Sequence, residues 1–432
     1  KAQAERDGQF VDTIWTPGDF GAEASAGREA KTLREMCGDD LVLFSMGSSA
    51  SDIHQGALGD CWYLSAIACI ADRKNLMSKL FVYYDCKKGL YVIRFYKSGV
   101  YRDIAVDDLV PTKYGSISFA KSGTKKEVWV QILEKAYAKL HGSYDAIEGG
   151  WIADGLVDLS GGIGSSISLT DEQGKREIHD GTMWARLIAL QRDGHLLGCS
   201  SHAGKDTHKN AANIVQGHAF SLLDMQEIDG NRLLCIRNPW GDTEWNGKWS
   251  DGDTKSWTQR MQKKLGFVAK DDGAWWMAFE DFVLNFKSVY VCRIFEEDWH
   301  RKYIVSEWKG KTAGGCSNFA TFVNNPQIQL QVNGRVRLIL TLEQEDVRGT
   351  GDSKVFIGFK VMKHGANIKY KGVASSGIYS PSREVYVETE LVGEASKPYY
   401  IVPTTFDPGM ETQFTMKVYW KGPLDAVDMY IS

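Results

Sequence analysis

The sequence predicts an α+β chain in parts: a helical lobe, a strand-rich lobe and, from about residue 297, an antiparallel β-sandwich. Three observations carry this reading. Cys61 is followed by an unbroken apolar helical run, Trp62 to Ile70. A strand pair around Asp229-Gly230 follows further on, and beyond residue 297 the apolar residues alternate with period two. With 432 residues, a single core is not expected and the chain should divide into domains.

Taken in order, residues 1–36 are polar and irregular and read as a surface arm. The first lobe, 37–150, holds the run after Cys61 and a helix from Glu127 to Leu140. That helix places Val128, Ile132, Leu133, Ala136, Tyr137 and Leu140 on one stripe, with Gly142 as its cap. Gly149-Gly150 is the expected hinge. The second lobe, 151–296, contains the apolar runs Ala219 to Leu223 and Leu233 to Ile236, joined by the Asp229-Gly230 turn signal. In 297–432 the alternation covers Ile328 to Val332, Val336 to Leu342, Val355 to Val361 and Phe414 to Trp420, with Asn333-Gly334 read as a hairpin turn.

Composition excludes several classes. The chain is 43% hydrophobic and 25% charged, with a formal charge of −4. This is an ordinary globular balance without the basic bias of a nucleic-acid binder. No apolar run reaches about 18 residues, so nothing reads as a membrane-spanning helix. The eight cysteines lack paired spacing and no signal-peptide core is present, which points to a reducing, cytoplasmic setting. No Cys-x-x-Cys spacing offers a zinc site. The start at Lys1 leaves room for a longer protein carrying a membrane anchor.

The chemistry concentrates in Gln55-Gly56-Ala57-Leu58-Gly59-Asp60-Cys61-Trp62. A cysteine at a helix start meets unpaired backbone N–H groups and the positive end of the dipole, which favour a thiolate and can bind an oxyanion. Gln55 adds a side-chain amide donor for such a hole. A small buried apolar role for Cys61 is the competing reading. A nucleophilic cysteine needs a distant histidine and a group to orient it. Of nine histidines, His218 opens the apolar run Ala219 to Leu223, and folding the hairpin brings Asn238 beside it. Asn238 can select the imidazole tautomer, and Trp240 can roof the bond. His218 lies 157 residues after Cys61 and Asn238 a further 20, the order and separation of papain-like cysteine proteases. The other histidines read as surface or ordinary hydrogen-bonding groups, and a metal pair at His202 and His208 has little support.

Five blocks in order, Gln55 to Trp62, Glu134 to Tyr144, Gly217-His218-Ala219, Arg237 to Gly241 and Glu244 to Gly247, resemble the protease core of a calpain. Gly314-Gly315-Cys316 and Asn325-Pro326-Gln327 resemble the opening of the β-sandwich that follows that core. The wording around Val215 to His218 and Lys139 to Gly150 is most similar to plant-type calpains. The resemblance implies a two-lobed papain-like core and a calcium-dependent cysteine endopeptidase of intracellular proteins, with Cys61, His218 and Asn238 assembled by lobe closure. It implies calcium on both lobes, held in the first by Asp52, Glu127 and the carbonyls of Ser45 and Gly47. In the second it would be held by Glu244, Asp251, Asp272 and the carbonyl of Lys270. Ala274 stands where calpains commonly carry another carboxylate, which weakens the second site.

No Asp-x-Asp-x-Asp-Gly loop is present, so an EF-hand partner subunit is not implied. In the sandwich, Glu343, Glu345, Asp346 and Asp352 can bind calcium or a basic surface, or simply be solvated. Lys360, Lys363, Lys369 and Lys371 can meet acidic lipid headgroups or remain solvated. Ser200 to Asn213 reads as a mobile loop over the cleft. Two other classes remain open at this level: a non-catalytic calpain-like scaffold binding lipid or protein, and an acyl transferase with the same triad logic.

Overall fold

The run after Cys61 contains no helix breaker and forms helix α1 (Cys61–Ala71), in which only Cys61 and Cys69 escape full burial. A helix that is apolar all round must be enclosed by other elements. Helix α2 (Trp129–His141) covers one side, where Tyr63 and Tyr137 stack with ring centroids 3.8 Å apart. Helix α3 (Ile152–Ser160) covers another, and Gly155 allows the close approach: a Cβ there would meet Ala66 Cβ at 3.0 Å and the Trp62 ring at 3.4 Å. The Tyr137 hydroxyl donates to Asp158 at 2.7 Å, joining α2 to α3. The computed structural model describes residues 5–6, 8–363, 372–393 and 397–431.

Helix α2 is not buried as a stripe. Gln131, Glu134 and Lys135, on the side expected to face solvent, are also buried. Their polar ends are matched: Ser122 Oγ donates to Gln131, the Ala120 N–H to Glu134, and Lys135 to Asp107 and the Leu109 carbonyl. Gly142 ends the helix at φ 100°.

The opposite wall is a six-stranded sheet. Its strands are β1 (Ile163–Ser168), β2 (Leu196–Ser201), β3 (Ala219–Ile228), β4 (Asn231–Arg237), β5 (Ala274–Ala278) and β6 (Phe286–Arg293). They lie in the order β1-β6-β2-β3-β4-β5, every pair antiparallel. Asp229 and Gly230 both adopt positive φ, 49° and 77°, the requirement of a type I′ turn. The resulting register sets Ser221 opposite Arg237. Helix α1 lies on this sheet: Ser221 Oγ donates to the Ser65 carbonyl and Cys69 Sγ to the Leu197 carbonyl, each at 2.9 Å.

The described residues divide into two compact units. One runs to Tyr96 and resumes over Tyr101–Ile294; the other comprises Lys97–Val100 and Phe295–Ser432. Both expected lobes fall in the first unit. The segment expected as a polar arm belongs to its core instead: Trp15, Phe20, Ala24 and Leu33 are buried, and Glu29–Thr32 pairs with Leu109–Lys113. Their apolar residues are too widely spaced to register as a periodic element, yet each finds a tertiary socket.

In the second unit, β7 (Trp299–Trp308), β14 (Thr412–Lys421), β9 (Gly334–Gln344) and β12 (Glu384–Gly393) form one antiparallel sheet in that order. A second contains β11 (Ala374–Ser375), β10 (Ile357–Met362), β13 (Tyr399–Thr405), β8 (Ile328–Val332) and β15 (Val427–Ile431). Their alternating apolar residues, Leu330, Leu340, Phe359 and Met416 among them, share one core. Asn333-Gly334 is therefore not a hairpin. It is a corner by which the chain leaves one sheet for the other, held by Asn333 N–H and Nδ2 donating to the Ala426 and Asp425 carbonyls. Of the acidic loop, Glu343 and Asp346 are not solvated but buried against Lys417 and Arg383. Lys360 donates to Ser317 Oγ at 2.6 Å, while Lys369 and Lys371 lie outside the described residues.

The α1–α3 contact has no spare volume. Gly155→Val should lower stability by about 1–3 kcal/mol through overpacking, read as a lowered thermal midpoint. An unchanged midpoint would show that the two helices can separate freely.

Candidate active site

Cys61 is the first residue of α1, and Asp60 before it makes no side-chain capping bond. Burial pushes the Cys61 thiol up to about 11. The backbone N–H groups of Ala219 and Trp62 pull the other way, and the charge of Asp60 adds to the rise. A helix N-terminus and an adjacent strand start thus both aim donors at the sulfur.

His218 sits just before β3, with 1% of its surface exposed. Its Nε2 lies 2.9 Å from Asn238 Oδ1. The orientation of the Asn238 amide is settled by its donors, since Nδ2 is held by the carbonyls of Asp242 and Thr243 at 2.9 and 3.1 Å. Its oxygen must therefore face the ring, and Nε2 must carry the proton. Nδ1 is then the basic nitrogen, buried and without a hydrogen-bond partner. Burial lowers the His218 pKa to about 4, against the opposing pull of the Asn238 bond. Trp240 packs over the pair, 4.9 Å between centroids from the His218 ring, and its backbone N–H also donates to Asn238 Oδ1.

Gln55 is tied to the same region by its N–H, which donates to the Pro239 carbonyl at 2.9 Å. Its side-chain amide donates to the Leu58 carbonyl at 2.7 Å, and its Oε1 is buried without a partner. The donor expected to face an oxyanion is thus turned inward in this arrangement.

The acidic positions gather in two places. Near the first, the Ser45 N–H donates to Glu127 and the Ser49 N–H to Asp52. Burial raises the Glu127 pKa, and the charge of Asp52 adds to it. Gly47 takes φ 99°, which favours glycine. In the second, Gly273 N–H donates to Glu244, Lys270 N–H to Asp251 and Ala274 N–H to Asp272. Burial pushes the Glu244 carboxyl up to about 7, with Asp251 and Asp272 adding to the rise. The side-chain oxygens of Glu244, Asp251 and Asp272 do not all lie within 4.8 Å of one another.

Ser200 to Asn213 starts differently from its reading as a loop. Ser200 and Ser201 end β2, and the remainder is braced by Asn210, whose Oδ1 accepts the N–H groups of Ala212 and Ile214. His202 bonds the Leu284 carbonyl, and no metal cluster among the described residues includes His202 or His208. His141 is buried beside Asp158, at 3.8 Å, rather than at the surface.

Residues 23–293 match the family model described as calpain family cysteine protease, and residues 303–419 match calpain large subunit, domain III. The chain belongs to the calpain family. It is 39% identical over 408 residues to the rice "Calpain-type cysteine protease ADL1", a match covering 88% of this chain and 19% of that protein. With the Arabidopsis thaliana "Calpain-type cysteine protease DEK1" the identity is 36% over 441 residues, covering 96% and 20%. With mouse "Calpain-5" it is 31% over 452 residues, covering 92% and 70%. The chain thus spans about a fifth of the length of the plant relatives it matches. Among the described residues no helix is long and apolar enough to cross a membrane.

Three site residues escaped the sequence reading. Arg237 is buried, donates to the Ile53 carbonyl at 2.7 Å, and is lowered by burial to about 10 against the charges of Asp272, Asp52 and Asp72. It faces members of both acidic groups. Asp60 and Glu134 are the others, both buried. A charged residue within an apolar run was the available signal.

A neutral, buried His218 has a pH signature. Its folded pKa of about 4 lies below the ordinary 6.5, so the associated stability is present above pH 6.5 and lost as pH falls through 4. This amounts to about 3 kcal/mol across that window. Asn238→Asp, placing a carboxylate at Nε2, should raise the His218 pKa and shrink the loss. NMR titration of the imidazole together with acid unfolding checks this, and an unmoved pKa would refute the assigned contact.

Proposed function

We propose that this chain is a calcium-dependent cysteine endopeptidase that cuts intracellular proteins at limited sites, working in the cytoplasm or at a membrane surface. The observation that carries the reading is His218: its Nε2 is bonded to Asn238, its Nδ1 is left free of partners, and the N–H of the next residue, Ala219, reaches the sulfur of Cys61 at the start of α1. Membership of a cysteine protease family supports protein substrates.

In the proposed reaction Cys61 gives its proton to His218 Nδ1 and its sulfur attacks the peptide carbonyl carbon. Asn238 holds the imidazole and stabilises its cation. The backbone N–H of Cys61 takes the oxyanion, joined by the Gln55 amide once it leaves the Leu58 carbonyl. His218 then protonates the leaving amine and activates the water that hydrolyses the thioester. Trp240 shields the His218–Asn238 bond from solvent.

The donors of both acidic groups fit a hard cation: carboxylates and loop carbonyls, with Glu244 raised by burial and by its acidic neighbours and Asp251 Oδ1 buried without a partner. Ser45, Gly47, Asp52 and Glu127 would hold one calcium, and Glu244, Asp251, Asp272 and Lys270 the other. Bound calcium supplies positive charge to crowded carboxylates and takes no part in bond making. Lipid contact through Lys360 and Lys363 belongs to the same proposal as a minor element.

Cys61→Ala should abolish casein cleavage, and Asn238→Ala should lower kcat/KM by at least about tenfold. Chelation should silence the wild type, and Asp52→Ala should raise the calcium needed for activity. Equal cleavage by Cys61→Ala would eliminate the nucleophile, and indifference to chelators would eliminate the calcium dependence.

A further inference from the structure

Asp60 and Glu134 take no part in the reaction above, yet they are the two acids buried directly behind the nucleophile, with 0% and 2% of their surfaces exposed. Glu134, on α2, accepts the Ala120 N–H at 3.0 and 3.2 Å to its two oxygens. Asp60 opens α1 by accepting the N–H groups of Tyr63 and Leu64 at its backbone carbonyl, at 2.9 and 3.1 Å. Its side chain does no capping, and beyond its own backbone N–H neither of its oxygens has a donor.

The hydrogen-bonding side chain that Asp60 faces is Glu134. The other titratable groups that act on the pair, or on which it acts, are Glu148, Tyr63, Tyr144 and Cys61. None is a cation. Two carboxylates in such surroundings cannot both remain ionised. A single proton turns two acceptors into one O–H···O⁻ bond, among the strongest neutral-to-charged bonds available.

We propose that Asp60 and Glu134 share one proton, and that this bond positions Cys61 by tying the first turn of α1 to α2 while holding the charge behind the thiol at one. Its catalytic consequence rests on Cys61 being the nucleophile; the shared proton does not. The pair titrates as a unit. Burial raises both members, Asp60 to about 7. A folded value above the ordinary 3.8 means that stability is present below that value and lost as pH rises through about 7. Past that point a second buried charge faces the sulfur.

The test compares Glu134→Gln and Asp60→Asn, which keep a donor and an acceptor at fixed charge, with Glu134→Ala, which removes the bond. In the full chain, iodoacetamide alkylation of the Cys61 peptide is followed by mass spectrometry between about pH 5.5 and 9, beside thermal midpoints. Neither readout needs peptidase activity, so this proposal and the endopeptidase reading fail separately. The amide variants should match wild type near pH 6 and alkylate about threefold faster near pH 8.5, with midpoints that fall less as pH rises. Glu134→Ala should melt lower throughout. Profiles identical to wild type in both amide variants would overturn the proposal, as would Glu134→Gln being as damaging as Glu134→Ala. If Glu134→Ala does not fold, infrared difference spectra decide: a carboxylic-acid carbonyl band near pH 6 in wild type minus Asp60→Asn supports the shared proton, and no such difference band refutes it.

Discussion

Everything at the site depends on one packing constraint: α1 lies against the six-stranded sheet, pinned where Ser221 donates to the Ser65 carbonyl. Ser65 is four residues past Cys61, and Ser221 three past His218. One hydrogen bond therefore sets how far the helix start can slide from the strand start. The apolar surround of α1 makes the alternative expensive, since nine buried residues would be exposed if the helix lifted off. Gly155 and the Tyr63–Tyr137 stack close the remaining sides.

That enclosure has an electrostatic consequence. The same burial that fixes Cys61 and His218 drives the thiol up and the imidazole down, so the arrangement described is a neutral pair. Charge is instead held nearby, in the two acidic groups and in Arg237, on which Asp272 and Asp52 act. The low dielectric that strengthens a formed ion pair also resists forming it. The inward turn of Gln55 belongs to the same neutral state, since its amide donor satisfies a backbone carbonyl rather than waiting for an oxyanion.

The helix after Cys61, the Asp229-Gly230 turn and the alternating strands were legible because each depends on neighbours a few residues away. The turn demands two residues tolerant of positive φ, and α1 shows its burial in an unbroken apolar run. Other features were not legible. Asn333-Gly334 has hairpin chemistry, but β8 and β9 belong to different sheets, so identical local geometry serves a corner. Trp15 and Phe20 sit in a segment with no period, and only their sockets reveal them as core. Polar Gln131, Glu134 and Lys135 hide the full burial of α2 because partners from elsewhere in the chain satisfy them.

The sequence by itself determined the candidate residues, their order and the elements that carry them, since motif and periodicity are properties of the covalent chain. Only the tertiary structure decided the state of those residues. Which nitrogen of His218 is basic follows from its contact with Asn238, twenty residues on, whose amide donors are held by the Asp242 and Thr243 carbonyls. Whether Asp60 is charged depends on Glu134, brought close by a second helix. Protonation responds to burial and to charges through space, and neither is written in the spacing of residues along the chain.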